Sequence, residues 1–281
     1  MTTSTSVKTL PDSGGDQPAG HASFGRLLLA EWTKLRTVRS TVWSLVALVV
    51  LAVGITTLAL AVTAANWSQA DPGDKAELLA DPTRRILGAG VLLSQLAVCV
   101  LGVLVTAGEY STGMIRSTLL ASPHRLRTLA AKCVDFTVLV LVLSELIGFS
   151  CFFIGRALIW KHAPVNLNDP GVTSAVVGYG LYMAMLGLFA TAIGQLVRHT
   201  AGAITAVIAL VLLLVPLAQL LPGTVGKHIG AYLPTNAGGL IMSVHPQSDQ
   251  LLSPWQGYGV FAIWTVVLLA IAGWLLVKRD A

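Results

Sequence analysis

Apolar residues dominate this chain and fall into six long runs that charged residues barely interrupt. The runs cover residues 43–65, 86–107, 134–155, 172–197, 201–221 and 258–277. A helix needs about 20 apolar residues to cross the hydrocarbon core of a bilayer, so each run is long enough to span a membrane once. The pattern predicts an all-α membrane protein with six transmembrane helices.

The composition supports this prediction. Of the 281 residues, 54% are hydrophobic and 11% are charged, whereas soluble domains carry about 25% charged residues. The net charge of +5 is small, and the cations gather at the ends of the apolar runs, a distribution that favours lipid headgroups over nucleic acid as the partner. We therefore expect contact with membrane lipid and no nucleic acid binding.

The segments outside the runs predict the domain organisation and the orientation. Residues 1–22 are rich in Thr, Ser, Gly, Pro and Asp and lack the apolar core of a signal peptide, so they are expected to form a disordered cytoplasmic tail before one membrane domain, residues 23–281. Lys and Arg concentrate in the N-terminal segment, in residues 108–132 and at the C terminus, which predicts that both termini are cytoplasmic. Arg84 and Arg85 run against this trend, because they lie at the outer end of the second run.

The segment directly before the first run has the pattern of an amphipathic helix. Ser23 is a suitable N-cap, and apolar residues recur at helical spacing after it. Glu31, Lys34 and Arg36 would be costly inside hydrocarbon, so we expect an interfacial helix in the headgroup plane, with Trp32 at the membrane surface. The alternative is that this segment simply extends the first transmembrane helix.

Residues 108–132 form a basic loop between the second and third runs. The loop reads GEYSTGMIRSTLLASPHRLRTLAAK. Residues 112–120 favour a short helix with both apolar and basic positions, and the pair Ser122-Pro123 ends it, because the residue before proline disfavours helical geometry. Such an element is suited to insert its apolar face into a groove of a partner. A solvated loop that only sets the orientation is the alternative.

A few polar residues lie within the apolar runs and are candidates for chemistry inside the membrane. Glu145 falls in the middle of the third run, where a charged side chain costs at least about 3 kcal/mol. Two explanations remain open: a group that lines a cavity and handles protons, or a neutral carboxyl between helices, paired with Gln95 at similar depth. The chain has no Walker A, HExxH or GxSxG motif, and its cysteines and histidines lack the spacing of metal ligands. We therefore expect neither an enzyme active site nor a metal site.

Three segments together resemble the ABC type-2 permease family, the membrane subunits of bacterial ABC exporters. They are AEWTKLRTVRSTVW (30–43), the loop 108–132 and YLPTNAGG (232–239), and the resemblance extends over residues 24–279. It implies a helix at the inner leaflet that contains Glu31, Lys34 and Arg36, and a re-entrant outer region over residues 222–257. From the residues of that outer region alone, a short helix that dips toward the membrane and a surface loop both remain open.

The resemblance also implies a cytoplasmic coupling helix in the basic loop. The residues that would dock on a nucleotide-binding subunit are Glu109, Gly113, Ile115 and Arg116. Arg125 and Lys132 match the basic positions that lead back to the membrane.

The partners follow from the same resemblance. The chain contains no nucleotide-binding motif, so a separate ABC ATP-binding subunit would hold ATP and Mg, and this chain would carry no cofactor itself. A second permease copy, identical or related, would complete the assembly. The expected function is export of an unknown substrate across the bacterial inner membrane. A secondary transporter that couples to ions through Glu145 is the alternative.

Overall fold

The computed structural model describes residues 23–121, 124–245 and 250–278, and within these ranges the protein contains helices and no strands. The long helices are α2 (Arg39–Ala65), α5 (Val91–Ser111), α7 (Arg125–Ile159), α8 (Val172–Val197), α9 (Thr200–Gln219) and α12 (Pro254–Lys278). The shorter helices are α1 (Phe24–Thr37), α3 (Pro72–Ala80), α4 (Pro82–Gly88), α6 (Met114–Ala121), α10 (Gly223–Ala231) and α11 (Pro234–Gly239). The predicted tail, residues 1–22, and the predicted helix break at Ser122-Pro123 lie outside the described residues.

All six long helices are long and apolar enough to cross a membrane, and the shortest of them has 20 residues. Apolar side chains such as Val50, Leu146 and Val266 point outward from these helices, where lipid would cover them. Within the described ranges, the sequence prediction of an all-helical protein with six helices long and apolar enough to span a membrane is confirmed. The protein has the architecture of a multi-pass membrane protein.

Successive long helices cross the bundle in alternating directions, so their ends gather at two sides. One side carries α1 and α6, together with Arg198, which reaches the carbonyl of Leu275 near the end of α12; we call it the α1 side. The other side carries α3, α4, α10 and α11; we call it the α4 side.

The centre of the bundle is α8, which packs against α5, α7 and α12. Its small residues let neighbouring backbones approach closely. A Cβ atom placed on Gly102 of α5 would lie 2.6 Å from the carbonyl oxygen of Gly187 on α8. Only glycine fits at that distance, so the α5–α8 contact depends on it.

The second span begins later than predicted, because α4 forms a separate helix before it. The sequence predicts a span over 86–107, whereas α5 begins at Val91. Asp81 caps α4 through a hydrogen bond from the backbone N–H of Arg84 at 2.9 Å. The chain then turns at Ala89 and Gly90, and Gly90 lies against the backbone of Ala52 on α2. Apolar composition continues across this turn, so hydropathy alone joins the two helices.

The other spans differ from the predictions mainly at their ends. The third extends from Arg125 to Ile159, 35 residues, instead of 134–155, because residues with high helix propensity continue the helix beyond the apolar run. The first span starts at Arg39, and the sixth occupies Pro254–Lys278. The fourth, Val172–Val197, begins and ends where the sequence predicts.

Within the described part of residues 222–257, the chain folds into short helices rather than a surface loop. Helices α10 and α11 are followed by a 3-10 turn at Leu240–Met242, which packs against α8 and α12. Ala237 and Ile241 are buried in this contact. Helix α11 begins at Pro234, because proline is well suited to the first turn of a helix.

Candidate functional site

Four charged side chains from three helices meet on the α1 side of the bundle. Glu31 and Lys34 lie one turn apart on α1, Glu109 lies near the end of α5, and Lys132 lies in the second turn of α7. Lys34 Nζ lies 2.7 Å from Glu31 Oε1 and 3.0 Å from Glu109 Oε1. Lys132 Nζ lies 2.7 Å from Glu109 Oε1 and 3.7 Å from Glu31 Oε2. We call these four residues the ion cluster.

The ion cluster is electrically neutral and largely shielded from solvent. Glu31, Glu109 and Lys132 are 5%, 6% and 5% exposed, so each charge depends on its partners in the cluster. Lys132 donates a further hydrogen bond to the carbonyl oxygen of Val105 at 3.0 Å. Removing one partner from such a buried group leaves an uncompensated charge, at a cost of about 3–5 kcal/mol. The cluster therefore connects α1, α5 and α7.

Lys34 is the most exposed member and extends the cluster to α6. Its ammonium group donates to the hydroxyl of Thr118 on α6 at 3.3 Å. Burial opposes the charged form of Lys34, but the hydrogen bond and the charges of Glu31 and Glu109 outweigh it and raise the pKa of Lys34 above its ordinary value of 10.5. Lys34 is thus a cation at neutral pH and contacts all of these groups at once.

The helix α6 extends from the end of α5 and packs chiefly against it. Gly113 stands between the two helices with φ of 72°, a left-handed conformation that glycine adopts without the strain other residues incur. Ile115 is partly buried, whereas Met114 is exposed and Leu120 is 87% exposed. The Arg116 side chain lies outside the part of the chain that the structure describes.

The residues predicted to dock on a partner thus fall into two groups. Gly113 and Ile115 lie on or directly before α6. Glu109 lies on α5 instead, and its buried carboxylate faces Lys34 and Lys132 inside the ion cluster. It does not offer its side chain to a partner, so a contact surface on this side would consist of α6 without Glu109.

The interfacial-helix candidates also divide according to the face of α1 on which they lie. Leu27, Glu31 and Leu35 form the buried stripe, and α1 packs mainly against α7. Arg36 is exposed, and about a third of Trp32 is exposed, 36%. Glu31, expected among the polar surface residues, is thus at the centre of the buried face, because the cations of the ion cluster neutralise it.

Gln95 and Glu145, the polar residues predicted inside the membrane region, do not pair with each other. Gln95 Oε1 accepts a hydrogen bond from the Tyr182 hydroxyl on α8 at 2.9 Å. The Glu145 side chain packs against Gly180 of α8, and its Oε2 atom is buried without a hydrogen-bond partner. The pairing with Gln95 that one of the two explanations included does not form, because Tyr182, 87 positions from Gln95 in sequence, takes the place of Glu145.

Gln95 lines a cavity of about 1070 Å³ on the α4 side, between α2, α4, α5 and α11, whereas Glu145 does not line it. The sequence identifies Gln95, Glu31, Lys34 and Glu109 as candidates individually. It does not reveal that Gln95 binds Tyr182 or that Lys34 joins Glu31 to Glu109. The helical spacing of Glu31 and Lys34 was a usable signal for that pair. The role of Lys132 was not predictable, since its partners come from other helices.

Comparison with known proteins adds no assignment. No protein-family model matches this chain, and no curated protein matches it. The function must therefore be inferred from the ion cluster, the exposed helix α6 and the cavity on the α4 side.

Proposed function

We propose that the chain is the permease subunit of an ABC transporter of the type-2 family, and that it serves export across the bacterial inner membrane. The observation that carries the proposal is the exposed helix α6. It follows a membrane-spanning helix, and it presents Met114 and Leu120 to its surroundings. A short helix with exposed apolar side chains is suited to bind in a groove of another protein. We infer that α6 is the coupling helix.

The partner in this proposal is an ABC ATP-binding subunit, which holds ATP and Mg. The permease carries no cofactor and catalyses no reaction. ATP-driven movement of the partner would displace α6, and two connections would transmit the displacement to the bundle. One is the chain connection through Gly113 into α5, and the other is the contact of Thr118 with Lys34 in the ion cluster.

Orientation and membrane contact complete the proposal. With α6 in the cytoplasm, both chain termini are cytoplasmic and the α4 side faces outward. Helix α1 then lies at the inner leaflet, where the exposed Arg36 meets anionic headgroups and Trp32 occupies the interface. Leu29, on the outer face of α1, would lie in the lipid.

A second permease copy would complete the assembly. Within the described residues, α2, α9 and α12 have the smallest shares of buried residues among the six long helices, and they carry many exposed apolar side chains. Lipid and a second copy of this chain, or of a related permease, would share this surface between them. The substrate path would then lie along or between the two copies.

Affinity purification from bacterial membranes in mild detergent tests the proposal. We expect a co-purifying subunit that contains Walker A and signature motifs and hydrolyses ATP. Replacing Leu120 with Glu should abolish its retention, because a carboxylate would have to be buried in the docking groove. Leu126→Glu is the matched control, since Leu126 is also exposed on the α1 side but lies on α7. Equal retention by both variants and the wild type would refute α6 as the docking helix.

The unpartnered carboxyl oxygen of Glu145 favours a second candidate, an ion-coupled secondary transporter. A carboxyl without a hydrogen-bond partner is less costly neutral than charged in apolar surroundings, and a group that exchanges a proton within the span suits proton coupling. Transport that persists after ATP depletion, requires a proton gradient and is lost in Glu145→Gln would establish this candidate. Transport that requires ATP and survives Glu145→Gln would exclude it.

A further inference from the structure

The cavity on the α4 side has the features of a ligand site. Its volume of about 1070 Å³ is slightly larger than the usual range for small-molecule pockets, about 300–1,000 Å³. Helices α2, α4, α5, α8 and α11 all contribute to its wall. It lies at the opposite side of the bundle from α6, so it is separate from the proposed docking surface.

Two adjacent cations, Arg84 and Arg85 of α4, line this cavity. Both are half-buried, and within the described ranges neither guanidinium group has an ion-pair or hydrogen-bond partner. Half-buried arginines usually have an acceptor, because each guanidinium carries five donors. The same pair is also the exception to the expected orientation of the chain, which leaves their presence at this end of the bundle unexplained by topology.

The carboxylates nearby do not neutralise the two arginines. Asp81 Oδ1 accepts from the backbone N–H of Arg84, and Asp81 Oδ2 accepts from the backbone N–H groups of Val244 and His245 at 2.9 and 3.2 Å. Both carboxylate oxygens of Asp81 thus already accept backbone hydrogen bonds, which hold α4 against the segment after α11. Glu77 also lines the cavity but is exposed to solvent at its rim. An anion in the cavity would supply the acceptors that the arginines lack.

The interior of the cavity adds a polar group that is open to a ligand. The Tyr182 hydroxyl holds Gln95 by its Oε1 atom at 2.9 Å, which leaves the amide NH₂ of Gln95 free to donate to a ligand. Thr235 also contributes to the wall. The Gln95 amide can donate to a hydroxyl, carbonyl or ester oxygen.

Apolar side chains make up much of the remaining wall. They belong to three different elements: Leu60, Val91, Leu92, Leu240 and Met242. An inorganic anion would leave this surface uncovered, whereas an apolar chain or ring attached to the anion would cover it. Arg84, Arg85 and the Gln95 amide favour a ligand with an anionic, polar end, and the apolar wall favours a ligand with an apolar part. Together they favour an amphipathic anion.

We propose that this cavity binds an amphipathic anion, with a phosphate- or carboxylate-type group at Arg84 and Arg85 and an apolar part against Leu60, Leu92 and Leu240. The ligand could be a membrane lipid or a free amphiphile, since both present this chemistry. The proposal does not depend on the proposed transport function, because it concerns binding to the chain alone.

Binding of short-chain lipids to the purified full-length chain in a neutral detergent tests the proposal. The probes are dihexanoyl phosphatidic acid, dihexanoyl phosphatidylcholine and inorganic phosphate, with dissociation constants from native mass spectrometry. We expect phosphatidic acid to bind most tightly. Equal binding of phosphatidylcholine would overturn the anionic part of the proposal, and equal binding of inorganic phosphate would overturn the amphipathic part.

Two kinds of variant locate the binding. Arg84→Gln with Arg85→Gln should weaken phosphatidic acid binding about tenfold or more. Lys75→Gln with Lys161→Gln is the matched control, because it removes the same charge from the same side of the bundle but outside the cavity. If both double variants bind like the wild type, or if both weaken binding equally, the cavity is not the site.

A second variant fills the cavity and leaves the arginines in place. Gly88 lines the cavity, and a Cβ atom there would have no neighbour within 4 Å, so Gly88→Leu can extend into the empty space without disturbing the fold. It should weaken binding, whereas Gly54→Leu, at an equally open position on α2, should not. Unchanged binding in Gly88→Leu would overturn the proposal even if the arginine variants proved unstable.

Discussion

Lys132 on α7 and Glu109 on α5 form an ion pair of 2.7 Å between their side chains, and both are more than nine-tenths buried. The two residues come from the two long helices that flank the loop 108–132. Their attraction therefore closes the base of that loop at the point where α5 ends and α7 begins.

Replacing Lys132 with Met should strongly destabilise the protein. The substitution keeps the approximate length of the side chain but removes its charge. Glu109 then has Lys34 as its one remaining cation in the ion cluster, and Glu31 Oε2 loses the Lys132 ammonium group that lies 3.7 Å away. We expect a loss of about 3–5 kcal/mol in the free energy of unfolding, seen as a lower thermal midpoint in detergent. Arg127→Met is the control, because Arg127 is exposed on the same helix. Similar midpoints for the two variants would contradict the role of the cluster.

The double variant Glu109→Leu with Lys132→Met should be less destabilised than Lys132→Met alone. Removing both partners of a buried pair leaves no uncompensated charge between them, and apolar side chains of similar size fill the space. Thermal midpoints of the wild type, the two single variants and the double variant form a complete cycle. Purely additive losses would mean that the two residues do not interact.

Lys34 makes the stability of the protein dependent on pH in the alkaline range. Its pKa is raised in the folded state, since the carboxylates of Glu31 and Glu109 outweigh the effect of burial. The ion pairs of Lys34 therefore stabilise the fold fully at pH values below its pKa in the unfolded chain, 10.5. This stabilisation is lost as the pH rises through the higher pKa of Lys34 in the folded state.

The difference in thermal midpoint between the wild type and Lys34→Met should therefore be constant up to about pH 10 and decrease above it. Arg36→Met serves as the control, because Arg36 is exposed on the same helix and a guanidinium does not lose its proton in this range. A difference for Lys34→Met that stays unchanged to the highest accessible pH would contradict the predicted coupling.

The structure also shows which contacts a sequence can and cannot reveal. The six spans follow from local composition, and the i to i+3 spacing of Glu31 and Lys34 is visible in the sequence. The contact between Lys132 and Glu109, and the one between Gln95 and Tyr182, join residues on different helices, so no local pattern encodes them. The separation of α4 from α5 likewise depends on Gly90 meeting Ala52 of another helix, which hydropathy does not register.

Gly113 should be intolerant of substitution, although it has space around it. A Cβ atom there would meet nothing within 4 Å, but φ is 72°, so Gly113→Ala is strained by about 1–2 kcal/mol through its backbone alone. Gly108→Ala on α5 is the control, since its Cβ atom would also have open space and its backbone is helical; it should be neutral or slightly stabilising.

Hydrogen exchange of the amides in α6 distinguishes the two glycine variants best, because the strain acts at the joint between α5 and α6. We expect faster exchange over Met114–Ala121 in Gly113→Ala and unchanged exchange in Gly108→Ala. The same slow exchange in both variants would show that the left-handed turn does not hold α6 in place.

Replacing Gly102 with alanine, which adds only a methyl group, should disrupt the contact between α5 and α8. Gly102→Ala would place a methyl group 2.6 Å from the carbonyl oxygen of Gly187 and 2.9 Å from the Cβ atom of Ala190, so the two helices must separate. Overpacking of this kind costs about 1–3 kcal/mol, and we expect a lower thermal midpoint in detergent. Gly54→Ala on the outer face of α2, where a Cβ atom has no neighbour within 4 Å, should leave the midpoint unchanged or raise it. If Gly102→Ala is as stable as Gly54→Ala, α5 and α8 are not packed backbone to backbone.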